Sequence, residues 1–261
     1  MTKKLQNITD KLPAIIALCL IILFWALLAG SEAVPSYMLP SPGKVAKALY
    51  DDRIMILTHA MVTLQEAFYG LVIGIVLAFI TATMMDYFRT LHQALYPIMV
   101  ITQTIPTIAI APMLVLWMGF GMAPKITLVV VTTFFPITVG LLDGYKSVDR
   151  DSIDLMRTMG ANRLQIFTHL KVPSALPLFF AGLKVSASYA VVGAVISEWL
   201  GGFNGLGVYM TRVKKAYAFD KMFAVVLFIV LVSLLLMLLV SIIGRISMPW
   251  RSVVVERRHR D

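Results

Sequence analysis

The apolar residues of the chain fall into six long runs, at roughly 13–29, 60–85, 94–118, 126–142, 176–200 and 222–244, with polar stretches between them. A helix that crosses the hydrocarbon core of a bilayer needs about 20 predominantly apolar residues, so each run predicts a membrane span. The fifth run is the most polar, carrying Lys184, Ser186, Ser188, Ser197 and Glu198, and five spans stays open beside six. Pro106 and Pro112 interrupt the third run and free backbone carbonyls that lipid cannot satisfy, which predicts a helix facing protein or a water-filled path.

The stretches between the runs have patterns of their own. In "YMLPSPGKVAKAL", Pro40 and Pro42 force extended backbone ahead of a short helix beginning near Gly43, an elbow lying along the membrane surface. "MRTMGANRLQIFTHLKVPSALP", Met156 to Pro177, predicts the rest of a hinged pair of short helices within a loop at 143–175. Asp151 or Ser152 can cap the first helix and Gly160 can end it in a left-handed position. Asn162 can start the second, with Gln165 placed for a capping box, and Pro173 marks its end. Ile153, Met156 and Met159 share one face of the first helix. Such a helix suits docking into a groove of another protein, or lying on the lipid surface, and the periodicity alone leaves both open.

Composition agrees with a membrane protein: 14% of residues are charged against roughly 25% in soluble domains. The formal charge of +9 sits mostly between and beyond the runs, which points to topology and anionic lipid, not nucleic acid. With six spans, one side holds fourteen Lys and Arg, including Lys3, Lys4, Lys11, Arg89, the 143–175 loop and the C-terminal tail; the other holds eight, including Lys125. Both termini and the loop are therefore expected in the cytoplasm of a multi-pass membrane protein. Three lysines, an apolar run and "SEA" at Ser31–Ala33 imitate a cleavable signal, but a retained first helix preserves the six-span arrangement.

Candidate chemistry is sparse. Cys19 is the only cysteine, so no disulfide framework or cysteine metal cluster is expected. No His-Glu-x-x-His or Gly-x-Ser-x-Gly occurs, and we expect no catalytic residue, metal or cofactor in the chain. "GFNGLG" lacks the following Lys-Ser/Thr of a phosphate loop and reads as a tight turn. Glu198 is too far from Lys184 to pair within one helix, about 21 Å at 1.5 Å per residue, and is expected to cap the turn at Gly201 and Gly202 or contact a neighbouring subunit. A proton relay would need partners, and His59, His92, His169 and His259 are scattered. Gln103, Thr104 and Thr107 can line a route through the membrane or bond between helices, and Phe134 could meet a flat solute or simply pack. Trp25, Trp117, Trp199 and Trp250 fall near span ends, as interfacial anchors do.

The spacing in the 143–175 loop resembles the EAA motif of ABC importer permeases: Asp154, Leu155 and Met156, then Gly160 six residues after the acid, then Leu170, Lys171, Val172 and Pro173. Asp stands where Glu is usual, and Leu-Met where Ala-Ala is usual. "LPSP" at Leu39–Pro42, "IPTIAIAPMLVLWMGFG" at Ile105–Gly121 and "EWLGGFNGLGVYM" at Glu198–Met210 are similar to segments of the branch that imports nitrate, sulfonates, taurine and pyrimidine precursors. The resemblance implies an all-α permease fold, one transmembrane domain over 1–261 with about six spans. It implies that Asp154, Met156, Arg157, Met159, Gly160, Ala161, Leu170 and Pro173 couple to a separate ATP-binding subunit, which holds the ATP. A second copy of the chain, a homodimer, and an extracellular substrate-binding protein follow as expected partners. The resemblance further points to a thiamine-related pyrimidine precursor as cargo, or to riboflavin, a sulfonate or taurine. The competing class is a stand-alone ion-coupled secondary transporter, but its inverted repeats and paired broken helices have no counterpart in the second half of the sequence.

Overall fold

The computed structural model describes residues 12–31, 35 and 37–250, and every regular element among them is helical. Lys3, Lys4, Lys11, the Glu32–Ala33 part of "SEA", His259 and the tail arginines from Arg251 onward lie outside the described residues. The helices are α1 (Leu12–Gly30), α2 (Pro42–Asp51), α3 (Arg53–Tyr87), α4 (Arg89–Thr104), α5 (Thr107–Met118), α6 (Met122–Lys146), α7 (Arg150–Thr158), α8 (Arg163–Ile166), α9 (Val172–Leu200), α10 (Leu206–Lys215) and α11 (Phe219–Ser247). A π-helical turn, Phe167–Lys171, joins α8 to α9.

Five helical stretches are long and apolar enough to cross a membrane by themselves, and the pair α4 and α5 makes a sixth if it is one bent span. The pair is bent by 100°. Ile105 is extended (φ −80°, ψ 122°), the conformation imposed on a residue preceding proline, so Pro106 ends α4 and α5 restarts behind it. Pro112, in contrast, sits inside α5, where Ala111 and Leu114 packed against Leu128 and Ile196 hold the helix through it. Pro173 also fails to end a helix. It occupies the first turn of α9, where its missing N–H removes little, and the π turn absorbs the change of register ahead of it. The second loop helix thus runs without a gap into the fifth span, Arg163–Leu200.

The described chain divides into two compact units. The first comprises Met1–Thr58 and Tyr209–Phe228. Here the short helix expected near Gly43 starts at Pro42, and Ser41 caps it by accepting from the Lys44 N–H. Trp25 donates to the Pro40 carbonyl at 3.1 Å and stacks on Phe223, over a small core of Val45, Ala48 and Ala224. The helix α1 buries none of its residues, so its apolar side chains are left for lipid or another chain.

The second unit, His59–Val208 with Ile229–Asp261, is organised on the pair α6 and α9. Small residues let the two backbones touch, which is how helices associate where burial of apolar surface gives no driving force. A Cβ on Gly144 would lie 2.5 Å from Ala175 Cα, and one on Gly182 would collide with the Pro136 carbonyl. Ser186 adds a hydrogen bond across the seam, to the Thr133 carbonyl at 2.9 Å. Ile137, Leu141, Leu142, Ala175 and Ala187 fill the core around this seam.

Candidate functional site

The loop after α6 is an elbow with both sides capped. Asp149 caps α7, two residues earlier than Asp151, and Asp154 forms an exposed pair with Arg157 at 3.0 Å. The helix ends at Gly160 (φ +83°), where the Gly160 N–H bonds the Arg157 carbonyl and the Ala161 N–H bonds the Met156 carbonyl, a Schellman closure. Asn162 then opens α8 with a complete capping box, each of its two bonds to Gln165 being 2.8 Å. With the orphan donors and acceptors of this corner satisfied, the corner has few cheap alternative shapes.

The elbow is bolted to the spans at its far end. Lys171 Nζ, at the end of the π turn, lies 2.8 Å from both carboxylate oxygens of Asp86 on α3. Phe167 packs on Tyr145 of α6, with ring centroids 5.3 Å apart. Between the end of α3, α7 and the π turn is a cavity of about 590 Å³ bordered by Asp86, Tyr87, Arg157, Arg163, Phe167 and Lys171. Leu155 and Met159 of α7 stand exposed, Met159 at 79%, as does Leu164 of α8, which also borders the cavity. Ile153 and Met156, which share a helical face with Met159, are half-buried.

A second site lies at the break between α4 and α5. A cavity of about 230 Å³ opens there, with polar walls from Thr102, Gln103, Thr107, Thr132 and Tyr189. Its back is formed where α9 comes close to α6: a Cβ on Gly193 would lie 3.1 Å from Thr132 Oγ1.

The third cluster is buried. Three successive backbone N–H groups at the start of α10 donate to side chains of other helices: Gly205 to His59 Nδ1 at 3.0 Å, Leu206 to Thr63 Oγ1 at 2.9 Å and Gly207 to Glu198 Oε2 at 2.6 Å. Thr63 in turn donates to Glu198 Oε1 at 2.7 Å. Beside them Lys125 and Glu66 form an ion pair of 2.7 Å, with side chains 5% and 0% exposed. Glu198 therefore grips the glycine turn at Gly207, not at Gly201 or Gly202, and it does so from inside the unit. Gly205 (φ +122°) has no room for a Cβ, which would run into the Glu198 carboxylate.

Residues 70–253 match the family described as "Binding-protein-dependent transport system inner membrane component". The chain belongs to this family. It is a permease of the ABC importer class, a multi-pass inner-membrane protein. It is 37% identical over 216 residues to a "Probable ABC transporter permease protein" of Haemophilus influenzae, covering 83% of this chain and 88% of that one. It is also 37% identical over 233 residues to the formylaminopyrimidine transport permease protein ThiX of Halalkalibacterium halodurans, covering 89% and 93%. A crystal structure of an amino acid ABC transporter with histidines has the same fold, with a TM-score of 0.63 at 13% identity over 76% of this chain and 96% of the other.

Within the permease, the loop residues singled out by sequence all lie on the elbow or its exit. Leu170 and Pro173 are half-buried at the π turn, and Ala161 is half-buried at the corner. Gln103 and Thr107 line the cavity at the break. Thr104 instead donates to the Ile101 carbonyl at 2.7 Å, and Phe134 packs against the apolar core of the α6–α9 pair. Thr132 and Tyr189, from the fourth and fifth runs, come to the same cavity and were not among the sequence candidates; hydropathy hides single polar positions in apolar runs. Lys125 was counted with the loop cations but is buried against Glu66. Its partner carried the available signal, since an ionisable residue in the middle of the second run requires a partner at depth.

Proposed function

We propose that the permease moves a small polar solute inward by alternating access, driven by a separate ATP-binding subunit that docks on the 151–173 loop. The observation that carries this reading is the doubly capped elbow at Gly160, which presents exposed Leu155 and Met159 and is tied to the spans through Lys171 and Asp86. A rigid elbow fixed to α3 and continuous with α9 converts a push on its outer face into movement of the spans. Asp154, Met156, Arg157, Met159, Gly160, Ala161, Leu170 and Pro173 form or support the contact.

In this reading the whole chain is one transmembrane domain with cytoplasmic termini, pairs with a second copy of itself, and receives its cargo from an extracellular binding protein. The ATP is held by the partner subunit. The cavity at the α4–α5 break, with Gln103 and Thr107 on its wall, is the passage. The relation to a formylaminopyrimidine permease favours a thiamine-related pyrimidine precursor as cargo, ahead of riboflavin, sulfonates or taurine.

The test is reconstitution. Purified with its ATPase and binding protein in proteoliposomes, the permease should take up solute only while ATP is hydrolysed, and Gly160→Pro should abolish both association and uptake. Solute uptake driven by an ion gradient with no ATPase bound would sink the proposal and support a secondary transporter.

A further inference from the structure

Two exposed arginines, Arg157 of α7 and Arg163 of α8, border the cavity of about 590 Å³ between the elbow and the end of α3. Their commitments are few. Arg157 gives one N–H to Asp154 at 3.0 Å, in an exposed pair of the kind that contributes little. The Arg163 guanidinium lies 5.8 Å from the centre of the Tyr87 ring, and among the described residues no carboxylate is within ion-pair distance of it. Asp86, the one acid on the wall, is already matched by Lys171. Positive charge is therefore in excess here even with Asp154 counted, and most of the guanidinium donors are unspent.

The rest of the wall is largely apolar, with Ile153, Leu164, Ile166 and Phe167 beside the charges. Its depth in the membrane follows from α3. The second apolar run ends near residue 85, and Tyr87 and Phe88 stand 60% and 50% exposed just beyond it, as aromatic side chains do at the level of lipid headgroups. Guanidinium forks at that level, above an apolar wall, fit a molecule with a phosphate head and hydrocarbon beneath it. The forks match phosphate oxygens two at a time, and basic pockets between spans on the cytoplasmic side attract the anionic headgroups of that leaflet. A soluble anion would use the arginines but leave the apolar wall uncovered.

We propose that this cavity binds the phosphate headgroup of an anionic phospholipid of the cytoplasmic leaflet, gripped by Arg157 and Arg163. The lipid ties α7 to α8 across the Gly160 corner and braces the elbow against the end of α3. The proposal rests on the reading that puts the elbow in the cytoplasm.

The test is a thermal-shift titration of the delipidated permease–ATPase complex in detergent with dihexanoyl phosphatidylglycerol, dihexanoyl phosphatidylcholine and inorganic phosphate, repeated on the permease alone. Phosphatidylglycerol should raise the midpoint saturably at concentrations where the other two do nothing. Arg163→Gln should weaken the apparent Kd for phosphatidylglycerol about tenfold, the size of one lost charge-assisted bond, and Arg163→Lys should recover part of it. Arg245→Gln, which removes an exposed cation at the end of α11 outside the cavity, should leave that Kd unchanged. The lipid-free midpoint of each variant shows that it is folded, so a weaker Kd reports the site. Equal losses in Arg163→Gln and Arg245→Gln would reduce the effect to general surface charge. Equal stabilisation by inorganic phosphate would make the occupant a soluble anion, and binding to the permease alone but not to the complex would give the cavity to the ATPase. Each of these results overturns the proposal, as do an absent shift with phosphatidylglycerol and an unchanged Kd in Arg163→Gln. The titration involves no transport, so solute uptake without ATP would remove the importer reading while the lipid site stands or falls on its own result.

Discussion

Lys171 Nζ sits midway between the two carboxylate oxygens of Asp86, 2.8 Å from each, and so joins the start of the fifth span to the end of the second across 85 positions of chain. The pair is about one-fifth exposed on each side, which limits screening by water. A charge-assisted bond of this kind contributes about 2 kcal/mol. Lys171→Met should leave the ATPase bound, since the outer face of the elbow is untouched, but should weaken transmission to the spans. The expected outcome is ATP hydrolysis that solute no longer stimulates, with Asp86→Asn behaving alike; unchanged stimulation in both variants would show that the bond transmits nothing.

Gly160 carries a graded prediction. At φ +83° an alanine costs roughly 1–2 kcal/mol, and proline, restricted to about −65°, cannot occupy the position at all. Pull-down of the ATPase should therefore fall in part with Gly160→Ala and be lost with Gly160→Pro. Equal recovery from both would mean the corner plays no part in docking.

Glu198 holds the start of α10 through Gly207 and holds Thr63 as well. Removing its carboxylate takes the acceptor from the Gly207 N–H and leaves Thr63 only its longer bond to the His59 carbonyl at 3.3 Å, a weakening of about 1–3 kcal/mol. Glu198→Ala should lower the thermal midpoint of the detergent-purified protein clearly more than an exposed change such as Asp154→Ala, which is measurable by scanning fluorimetry.

The pair Lys125–Glu66 should be strongly non-additive. Lys125→Met leaves a fully buried carboxylate unpaired and should cost about 3–5 kcal/mol. Lys125→Met combined with Glu66→Gln removes the stranded charge and should recover much of that loss. A thermal double-mutant cycle reads the difference, and simple additivity would contradict the coupling.

Asp52 supplies a pH dependence. Burial alone would raise its carboxyl, but hydrogen bonds from the Tyr209 hydroxyl and from Lys221, with the Lys221 charge, outweigh it and hold the group below its ordinary value of 3.8. A carboxyl lowered on folding contributes stability that is complete above the unfolded value and disappears as the pH falls through the folded one. Thermal stability should therefore fall on acidification below 3.8, and Asp52→Asn should flatten that limb. An unchanged acid limb in the variant would show that other groups govern it.

Much of this architecture was legible in the residues alone, because it depends on short-range rules. Mean hydropathy over a window locates a span, and Gly160 and the Asn162–Gln165 pair act on backbone groups only a few positions away, so these two caps could be read in advance, while α7 starts at Asp149 and not at Asp151 or Ser152. The spacing from Asp154 to Pro173 carried the family for the same reason, being a local ruler along one loop.

Tertiary structure decided the rest. Whether a proline breaks a helix depended on its setting: Pro106 bends the third span, Pro112 is held within α5 by packing, and Pro173 sits in the first turn of α9 behind the π turn. Whether Lys125 was a loop charge or a buried partner, and whether Tyr189 and Thr132 met Gln103 at one cavity, depended on how each helix is rotated about its axis. A hydropathy run determines that a helix lies in the membrane. The rotation is set by close approaches such as Gly144 on Ala175, between residues far apart in the chain, and no pattern within a single run contains it.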